Sequence, residues 1–336
     1  MTDNRHTGAK GVRLSGVSRS FGSLKAVDGV DLEIPSGSFF SLLGPSGCGK
    51  STTLRIISGF ESPDAGRVYI GDEDVTDLQA RRRPTAMVFQ NYALFPHMTV
   101  GENVAYGLKV RKMSRDAIKE RVLDALRRVD MADFLKTPVT SLSGGQQQRT
   151  ALARAVAIEP EVILFDEPLS NLDVALRHQT RAELKALQHR LGLTSIYVTH
   201  DQEEAMALSD QIALMRAGRI VQTGAPRDLY QQPDTAFVAS FLGGSNIVDD
   251  PALAARLTGS GLHDGRVLSI RPEHIRIGRS EGVQARVTAH QFLGMQTSLT
   301  IHVDGTELEA RIPGDQEIPA DAFVTVEASR EVTDDR

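Results

Sequence analysis

Short apolar and alternating runs along most of the chain predict β-strands. Val12 to Phe21 and Ala26 to Ile34 alternate between apolar and polar residues, as strands do when one face is buried. Phe39 to Leu43 is continuously apolar, which is typical of a strand buried on both faces of a parallel sheet. Further strands are predicted at Arg67 to Ile70, Thr85 to Phe89, Val162 to Phe165, Ser195 to Thr199, and in a hairpin of Gln211 to Met215 with Arg219 to Gln222.

Helical periodicity fills the intervals between these strands. Ser114 caps a predicted helix that runs to Val129, with its apolar residues on one face. Ser143 and Gln146 form a capping-box pattern just before the apolar run Thr150 to Ile158. The alternation of strands and helices predicts an α/β fold. Other helices are predicted at Thr52 to Ser58, Asp173 to Leu191, Asp201 to Leu208, Pro226 to Gln231 and Asp234 to Leu242.

The pattern changes after the Gly243-Gly244-Ser245 run. Helical periodicity ends there, and short alternating runs separated by Gly, Pro and Asp predict a small antiparallel barrel or sandwich. We therefore expect a first domain over residues 11–243 and a second over 244–336, with an unpatterned insert from Pro251 to Asp264. Residues 1–10 are polar and are predicted to be disordered. The predicted strands are Val267 to Ile270, His274 to Ile277, Val283 to Thr288, Thr297 to Val303, Glu307 to Ile312 and Phe323 to Glu327.

Composition narrows the classes of protein that the chain can represent. The 336 residues carry a net charge of −5, so no general basic field favours nucleic acid. The cluster Arg81-Arg82-Arg83 is short, and we expect it to be a solvated loop. A single cysteine, Cys48, excludes an intrachain disulfide and suits a reducing compartment. No apolar run reaches the length of a membrane span and the N-terminus has no secretory signal, so the sequence predicts a cytosolic protein that acts at a membrane only through a partner.

The first predicted buried strand runs directly into a glycine-rich loop. Gly44 to Ser51 matches G-x-x-x-x-G-K-[ST] in full, and a predicted helix follows. Glycine amides in such a loop cradle phosphate oxygens, the Lys50 ammonium reaches the β- and γ-phosphates, and the Ser51 hydroxyl binds Mg²⁺. A glycine-rich turn without a ligand is the plainer alternative.

Two further predicted strands end in polar side chains that could act on the same ligand. Asp166 and Glu167 follow the strand Val162 to Phe165, where Asp166 would orient the Mg²⁺ shell and Glu167 would activate a water. His200 follows Ser195 to Thr199. The carboxyl ends of parallel strands form the site edge of α/β sheets. Strands ending in acids are common, however, and a lone histidine is often an ordinary polar residue.

Two more stretches have open interpretations from the residues alone. Leu142 to Arg149 begins a helix with Ser143 and two glycines, which would suit an anion or be an ordinary cap. Asn91 to Val104 is apolar yet loop-like, so it either binds a partner or covers a local core.

Taken together, these motifs resemble the ATPase subunit of an ABC (ATP-binding cassette) transporter over about Val12 to Leu242. In that resemblance Gln90 marks the Q-loop, Leu142 to Gln146 the signature, Ser170 to Asp173 the D-loop and His200 the switch histidine. It implies a P-loop NTPase fold with a RecA-like core and a helical subdomain at about residues 91–160. The nucleotide set it implies is Phe21 against adenine, Gly44, Pro45, Ser46, Gly47, Cys48, Gly49, Lys50, Ser51 and Thr52 on the phosphates, with Gln90, Asp166 and His200.

The resemblance also implies roles and partners. ATP and Mg²⁺ would be bound, with Ser51, Gln90 and Asp166 at the metal and with Glu167, His200, Gln90 and Lys50 in catalysis. A head-to-tail homodimer would supply Ser143, Gly144, Gly145, Gln146 and Asp173 to the ATP held by the other copy. Permease subunits would bind the loop at about 91–104, and an extracytoplasmic solute-binding protein would act indirectly. No nucleic acid is expected, and the location would be peripheral, on the cytoplasmic face of the inner (plasma) membrane.

The C-terminal part resembles the OB-like TOBE domain of importer ATPases, most clearly at Ser269 to His274. The residues after Leu242 are most similar to the branch that imports polyamines, ferric iron or phosphonates; sugar or sulfate import by the same architecture is the alternative. A soluble ABC protein acting on ribosomes or DNA, which typically has two cassettes or a long coiled coil, fits a single cassette less well. A regulator that acts through its barrel is a third class.

Overall fold

The computed structural model describes residues 9–170, 174–319 and 321–335, and the chain forms two compact units, Met1–Pro226 and Arg227–Arg336. None of the helices in these described ranges is long and apolar enough to cross a membrane.

The strands of the first unit are Val12–Phe21 (β1), Leu24–Ile34 (β2), Phe39–Leu43 (β3), Ala65–Ile70 (β4), Glu73–Asp74 (β5), Thr85–Val88 (β6), Val162–Asp166 (β7), Thr194–Thr199 (β8), Gln211–Arg216 (β9) and Arg219–Gly224 (β10). Its helices are Lys50–Ser58 (α1), Val100–Val110 (α2), Arg115–Arg128 (α3), Gly144–Val156 (α4), Val174–Leu191 (α5) and Gln202–Leu208 (α6).

A six-stranded sheet with the order β10-β9-β3-β8-β7-β6 is the centre of this unit. β3 pairs in parallel with both β8 and β9, and all five of its residues are buried, as its unbroken apolar sequence predicts. The predicted hairpin of β9 and β10 is confirmed. Phe39, Phe165 and Tyr197 from three neighbouring strands pack their rings 5.7 to 6.5 Å apart. This rigid sheet carries the ends of β3, β7 and β8, where the candidate site residues lie.

A second, antiparallel sheet with the order β2-β1-β4-β5 shares a core with one side of the central sheet. The alternation that predicts β1 and β2 is the observed burial pattern, with Val12, Leu14 and Val17 buried and polar residues between them exposed. These side chains pack in one cluster with Phe40 of β3 and Leu54 of α1. The layer therefore fixes the helix that follows the glycine-rich loop.

Helices α2, α3 and α4 lie between β6 and β7 in the chain and bury Leu108, Leu126 and Leu152 in one core. The prediction that residues 91–104 form a loop throughout is wrong from residue 100, where α2 begins. Thr99 and Glu102 form a complete capping box there. Gly101 makes this helix hard to predict from the sequence. Close packing explains the glycine, because a Cβ at that position would lie 2.6 Å from Leu135 Cδ1.

The arginine cluster is not a solvated loop throughout, and for Arg83 that prediction is wrong. Arg83 is 3% exposed, whereas Arg81 and Arg82 are exposed. Its guanidinium donates to four carbonyl oxygens at 2.7 to 2.9 Å, two of which belong to Ile56 and Ile57. Arg83 thus caps the end of α1, because its cation binds the Ile57 carbonyl and is a second donor to the Ile56 carbonyl, which also accepts from the Gly59 N–H at 3.2 Å. Burial lowers the pKa of the guanidinium.

The second unit is mainly antiparallel β-structure, as predicted, with a shared apolar core. Five strands form one sheet in the order β13-β17-β14-β15-β16, and three form another in the order β11-β12-β18, with the bounds given at the end of this paragraph. The prediction that helical structure ends at residue 243 is wrong, because a helix occupies most of the insert. Asp250 caps it, Pro251 opens it and Gly259 ends it in the left-handed conformation. The elements are Pro226–Gln231 (α7), Ala236–Phe241 (α8), Asn246–Val248 (β11), Pro251–Thr258 (α9), Arg266–Ile270 (β12), Ile275–Gly278 (β13), Val283–Phe292 (β14), Gln296–Val303 (β15), Thr306–Pro313 (β16), Asp321–Val326 (β17) and Arg330–Thr333 (β18).

Helices α7 and α8 account for the difference between the observed division at Pro226 and the boundary near residue 244 expected from sequence. Arg271, at the end of β12, donates to the carbonyl oxygens of Tyr230, Ala239 and Leu242. Its guanidinium lies 4.0 Å from the centroid of the Tyr230 ring. These contacts attach both short helices to the β-structure. The boundary between the two domains near residue 244 stays a prediction.

Candidate nucleotide site

The loop between β3 and α1 has a backbone that requires glycine at two positions. Gly44 and Gly49 have φ angles of 156° and 106°. A Cβ at Gly44 would lie 2.2 Å from the Met215 carbonyl oxygen, and one at Gly49 would lie 2.1 Å from that of Ala26. Gly47 also has a left-handed φ, of 78°, but a Cβ there would meet no atom within 4 Å, so a ligand can approach the backbone at this point. Pro45 is half-buried and Ser46 is exposed at the outer side of the loop.

Lys50 lies inside this loop. Its side chain is 5% exposed, and Nζ donates to the carbonyl oxygens of Gly44 and Pro45 at 2.7 and 2.9 Å. Cys48 is buried beside it, with Sγ 3.7 Å from Nζ, so the cysteine is a packing residue of the loop. Ser51 and Thr52 follow on the first turn of α1. The ammonium, the glycine amides and the positive end of the helix dipole all favour a phosphate group at this loop.

The two predicted Mg²⁺ ligands Ser51 and Asp166 are in contact. Ser51 Oγ donates to Asp166 Oδ1 at 3.0 Å although the residues are 115 positions apart in the chain. No group of three His, Cys, Asp or Glu side chains in the described ranges could hold a metal ion alone. A Mg²⁺ ion that arrives on nucleotide phosphates needs only one or two protein ligands, so this hydroxyl–carboxylate pair fits it.

Glu167 and His200 are brought together at the ends of the neighbouring strands β7 and β8. His200 Nδ1 lies 3.2 Å from Glu167 Oε2, and the two side chains are 56% and 24% exposed. Glu167 has a φ of 47°, uncommon for a residue with a side chain, and its N–H donates to the Val198 carbonyl at 3.1 Å. This bond holds the strained turn in place, so the carboxylate is both accessible and fixed.

Gln90 contacts the turn that follows Glu167. Its Nε2 donates to Ser170 Oγ at 3.0 Å, and Ser170 Oγ in turn donates to the Glu167 carbonyl at 2.9 Å. The structure thus places Gln90 on the same edge of the sheet as the two acids. The hydrogen bonds of Ser170 to Gln90 and Glu167 are visible only in the structure, because in the sequence Ser170 is one serine of a predicted loop.

Phe21 lies at the end of β1 with 47% of its surface exposed. The Arg19 guanidinium lies 5.0 Å from the centroid of its ring and pairs with Glu61 and Asp64. An exposed aromatic ring in this setting can stack on a planar group.

The predicted capping box of the signature is confirmed at the start of α4. Ser143 Oγ accepts from the Gln146 amide at 3.4 Å, and Gln146 Oε1 accepts from the Ser143 amide at 3.0 Å. Ser143 is exposed, and a Cβ at Gly145 would have no atom within 4 Å. The first turn, which includes Gly144, therefore opens outward with amides that lack an intrahelical partner. Asp173, with Asn171 and Leu172 of the predicted D-loop, lies outside the described residues.

Arg154 and Tyr92 lie next to this site and support the segment after Gln90, and the sequence reasoning missed them. Arg154 donates to the carbonyl oxygens of Tyr92 and Ala93 at 2.7 Å each, and Tyr92 Oη donates to the Pro168 carbonyl at 3.2 Å. The sequence signal that could have identified Arg154 is its charge within the otherwise apolar helical run Thr150 to Ile158.

A lysine enclosed by a glycine loop, with a hydroxyl–acid pair and a second accessible acid on adjacent strand ends, defines a P-loop nucleoside triphosphatase. Comparisons with known proteins agree. Residues 27–170 match the ABC transporter family, and residues 268–333 match the TOBE domain. The chain is 44% identical over 320 residues to the Fe(3+) ions import ATP-binding protein FbpC of Photorhabdus laumondii, covering 91% of each chain. It is 42% identical over 327 residues to the spermidine/putrescine import ATP-binding protein PotA of Vibrio cholerae, covering 90% of this chain and 87% of that one.

A solved ATP-binding cassette, a dimer in a post-hydrolysis state bound to ADP and Pi, is 34% identical with a TM-score of 0.55, covering 64% of this chain and 99% of its own. The chain belongs to the ABC transporter family. The predicted fold class and the resemblance to an importer ATPase with a C-terminal TOBE domain are confirmed.

Proposed function

We propose that this chain hydrolyses ATP in a homodimer and thereby drives import of a small solute through separate permease subunits. The observation that carries the hydrolytic part is the Glu167–His200 pair beside the Ser51–Asp166 pair on one edge of the central sheet. Two accessible groups that can handle a proton, next to groups suited to Mg²⁺ and phosphate, form the minimal set for phosphoryl transfer to water.

Each site residue has a role that its contacts support. Lys50 and the loop amides bind the phosphates, while Ser51, Asp166 and Gln90 ligate or orient Mg²⁺. Glu167 accepts the proton of the attacking water. His200 holds the Glu167 carboxylate at 3.2 Å and faces the transferred phosphate. Phe21 stacks on adenine.

The outward-facing start of α4 supports a dimer. Ser143, Gly144, Gly145 and Gln146 have donors that suit an anion, and in a two-fold dimer of head-to-tail subunits they reach the γ-phosphate held by the other copy. Asp173 belongs to the same composite site in this proposal. Loss of the γ-phosphate on hydrolysis removes the charge that holds the interface closed.

Permease contact is supported by an apolar groove of about 430 Å³ beside residues 90–95, the Gln90 segment. Phe60 and Tyr106 line it and are 58% and 42% exposed, and the Phe95 ring packs against that of Tyr106 with centroids 4.5 Å apart and the planes tilted by 42°. Exposed aromatics around a concavity suit an apolar segment of a partner. We place the chain peripherally on the cytoplasmic face of the inner membrane, docked on permeases that receive solute from an extracytoplasmic binding protein.

The solute class rests on the relatives. Import proteins for ferric ions, sn-glycerol-3-phosphate and spermidine/putrescine match at 44%, 44% and 42% identity, so identity does not choose between them. We propose a polyamine, ferric iron or a phosphonate-type solute, with sugar or sulfate as the alternative. Co-purification with permeases in detergent, then ATPase measurements in vesicles with each solute, tests this; a chain that binds no permease and responds to no solute would contradict import and favour a soluble ABC function.

Glu167→Gln tests the hydrolytic proposal separately. The amide cannot accept a proton, so turnover should fall at least about 100-fold while ATP binding is unchanged. ATP with Mg²⁺ should then hold the variant as a closed dimer, seen by sedimentation. Glu33→Gln, on an exposed position of β2, is the control and should behave as wild type. A Glu167→Gln chain that still hydrolyses ATP at the wild-type rate would refute the assigned base.

A further inference from the structure

Arg154 lies on α4, the signature helix, and binds the chain segment that follows Gln90. Its Nη1 donates to the Ala93 carbonyl and its Nη2 to the Tyr92 carbonyl, both at 2.7 Å. Burial lowers the pKa of the guanidinium, which nevertheless stays charged at neutral pH. The planar fork of an arginine can bind two adjacent carbonyls at once, whereas a lysine ammonium binds as a point charge. The contact is therefore specific to arginine.

The segment that Arg154 binds has an unusual backbone. Tyr92 and Ala93 have φ angles of 59° and 46°, so two consecutive residues with side chains adopt the left-handed conformation. Such residues persist only where surrounding contacts hold them, and they are frequent in switch regions. The two Arg154 bonds are made to the carbonyls of these two residues. Arg154 is thus placed to stabilise the left-handed conformation of this segment.

The same segment contacts the catalytic turn at two points. Tyr92 is 5% exposed, and its hydroxyl donates to the carbonyl of Pro168, the residue after Glu167. Gln90 donates to Ser170 in the same turn. A displacement of residues 90–93 would therefore move the turn that carries Glu167, which has its own strained φ of 47°.

The segment is also accessible from outside the site. Ala93, Phe95 and Tyr106 line the apolar groove, and Arg154 itself forms part of its wall, with the guanidinium 5.8 Å from the centroid of Phe95. A group that enters the groove meets Arg154 and one of its two partners, Ala93.

We propose that Arg154 is a positioning residue that joins the groove to both halves of the ATP site. It locks the left-handed Tyr92–Ala93 conformation, so the signature helix with Ser143, the Gln90 segment and the Glu167 turn change position together when the groove is filled. That a permease segment fills the groove rests on the proposed function. The coupling of the three segments through Arg154 does not rest on it.

The isolated chain tests the link without any permease. In a Glu167→Gln background, ATP with Mg²⁺ should slow amide hydrogen exchange in residues 90–95 and 143–150 together. Arg154→Lys should leave ATP affinity within about twofold and keep the slowing in residues 143–150, which contact the ATP of the other copy directly. It should remove the slowing in residues 90–95, because the Gln90 segment no longer follows the signature helix. Arg111→Lys is the matched control, since Arg111 also donates to a carbonyl near the end of α4, that of Ile158 at 2.9 Å, outside the segment. Equal slowing of residues 90–95 in the Arg154→Lys chain and its parent would overturn the proposal.

The assembled transporter supplies the second readout. Arg154→Lys should reduce the ratio of permease-stimulated to basal ATPase at least about fivefold, at unchanged KM for ATP. Tyr92→Phe, which keeps the ring but loses the bond to Pro168, should reduce the same ratio without unfolding the chain. If Arg154→Lys lowers both rates in proportion and leaves the ratio intact, the residue is only structural and the proposal is wrong. Absence of stimulation in the wild type would instead refute the permease part alone, and the exchange result would stand.

Discussion

Arg83 stabilises the helix that presents the phosphate loop, although it lies far from the loop in sequence. It carries a buried charge whose four hydrogen bonds all go to backbone carbonyls, two of them in the last turn of α1. The chain thus anchors the helix at its C-terminal end, while the loop at its N-terminal end stays open to a ligand.

Arg83→Met should lower the free energy of unfolding of the first unit by about 3 kcal/mol, because the carbonyls lose a charged donor and stay buried. Chemical denaturation followed by circular dichroism measures this. Arg82→Met changes an exposed neighbour and should cost no more than about 0.5 kcal/mol. Equal effects of the two substitutions would show that Arg83 is solvated, as its sequence context suggests.

Residues of contiguous motifs could be predicted from the sequence, whereas contacts between distant segments could not. Lys50, Asp166 and His200 follow buried strands, so their place at the sheet edge follows from strand order and chain direction alone. Nothing in three consecutive arginines distinguishes Arg83 from its neighbours. Arg154, likewise, is recognisable only once Tyr92 and Ala93 are seen to turn their carbonyls toward it.

At the scale of elements, apolar periodicity rather than capping decides which helices can be predicted from the sequence. Ser114 and Ser143 cap helices whose apolar periodicity is also clear, and both helices were predicted. Thr99 and Asp250 cap α2 and α9 equally well. The sequence pattern predicts neither α2 nor α9. Glycines interrupt α2, and α9 is only two turns long, so tertiary packing stabilises these helices more than local propensity does.

The packing of α2 also forms the groove, which permits a test at this scale. Tyr106→Asp places a charge among the groove aromatics and should weaken permease binding about thirtyfold or more. The ATPase rate of the isolated chain should stay within about twofold of wild type, since Tyr106 contacts no nucleotide-site residue named above. Phe292→Asp changes a 67% exposed aromatic of the second unit and should leave permease binding unchanged. If both variants bind permease as wild type does, the groove is not the docking site.

On the scale of the whole molecule, the chain combines two units with separate cores. In the second unit Arg271 is 6% exposed and binds α7 and α8 to the β-structure through three carbonyls. The sequence pattern alone places the domain boundary after α7 and α8, because both have an apolar periodicity like that of the helices in the first domain. Their carbonyl contacts with Arg271 assign them to the second unit.

Arg271→Met should therefore destabilise the second unit by about 3 kcal/mol and leave ATP affinity unchanged. Hydrogen exchange resolved by segment would report faster opening of residues 227–336. Arg276→Met removes an exposed pair with Glu327 and should cost at most about 1 kcal/mol. Faster exchange confined to residues 9–226 would contradict this assignment.

The central claim is that each ATP is bound by Lys50 of one subunit and Ser143 of the other, and a mixing experiment tests it most directly. Lys50→Ala and Ser143→Arg chains should each be inactive alone, because every site in either homodimer lacks one half. Mixed in equal amounts, they should recover up to about a quarter of the wild-type ATPase rate, since half of the dimers are mixed and each has one intact site of two. A mixture no more active than its two components would contradict the shared site.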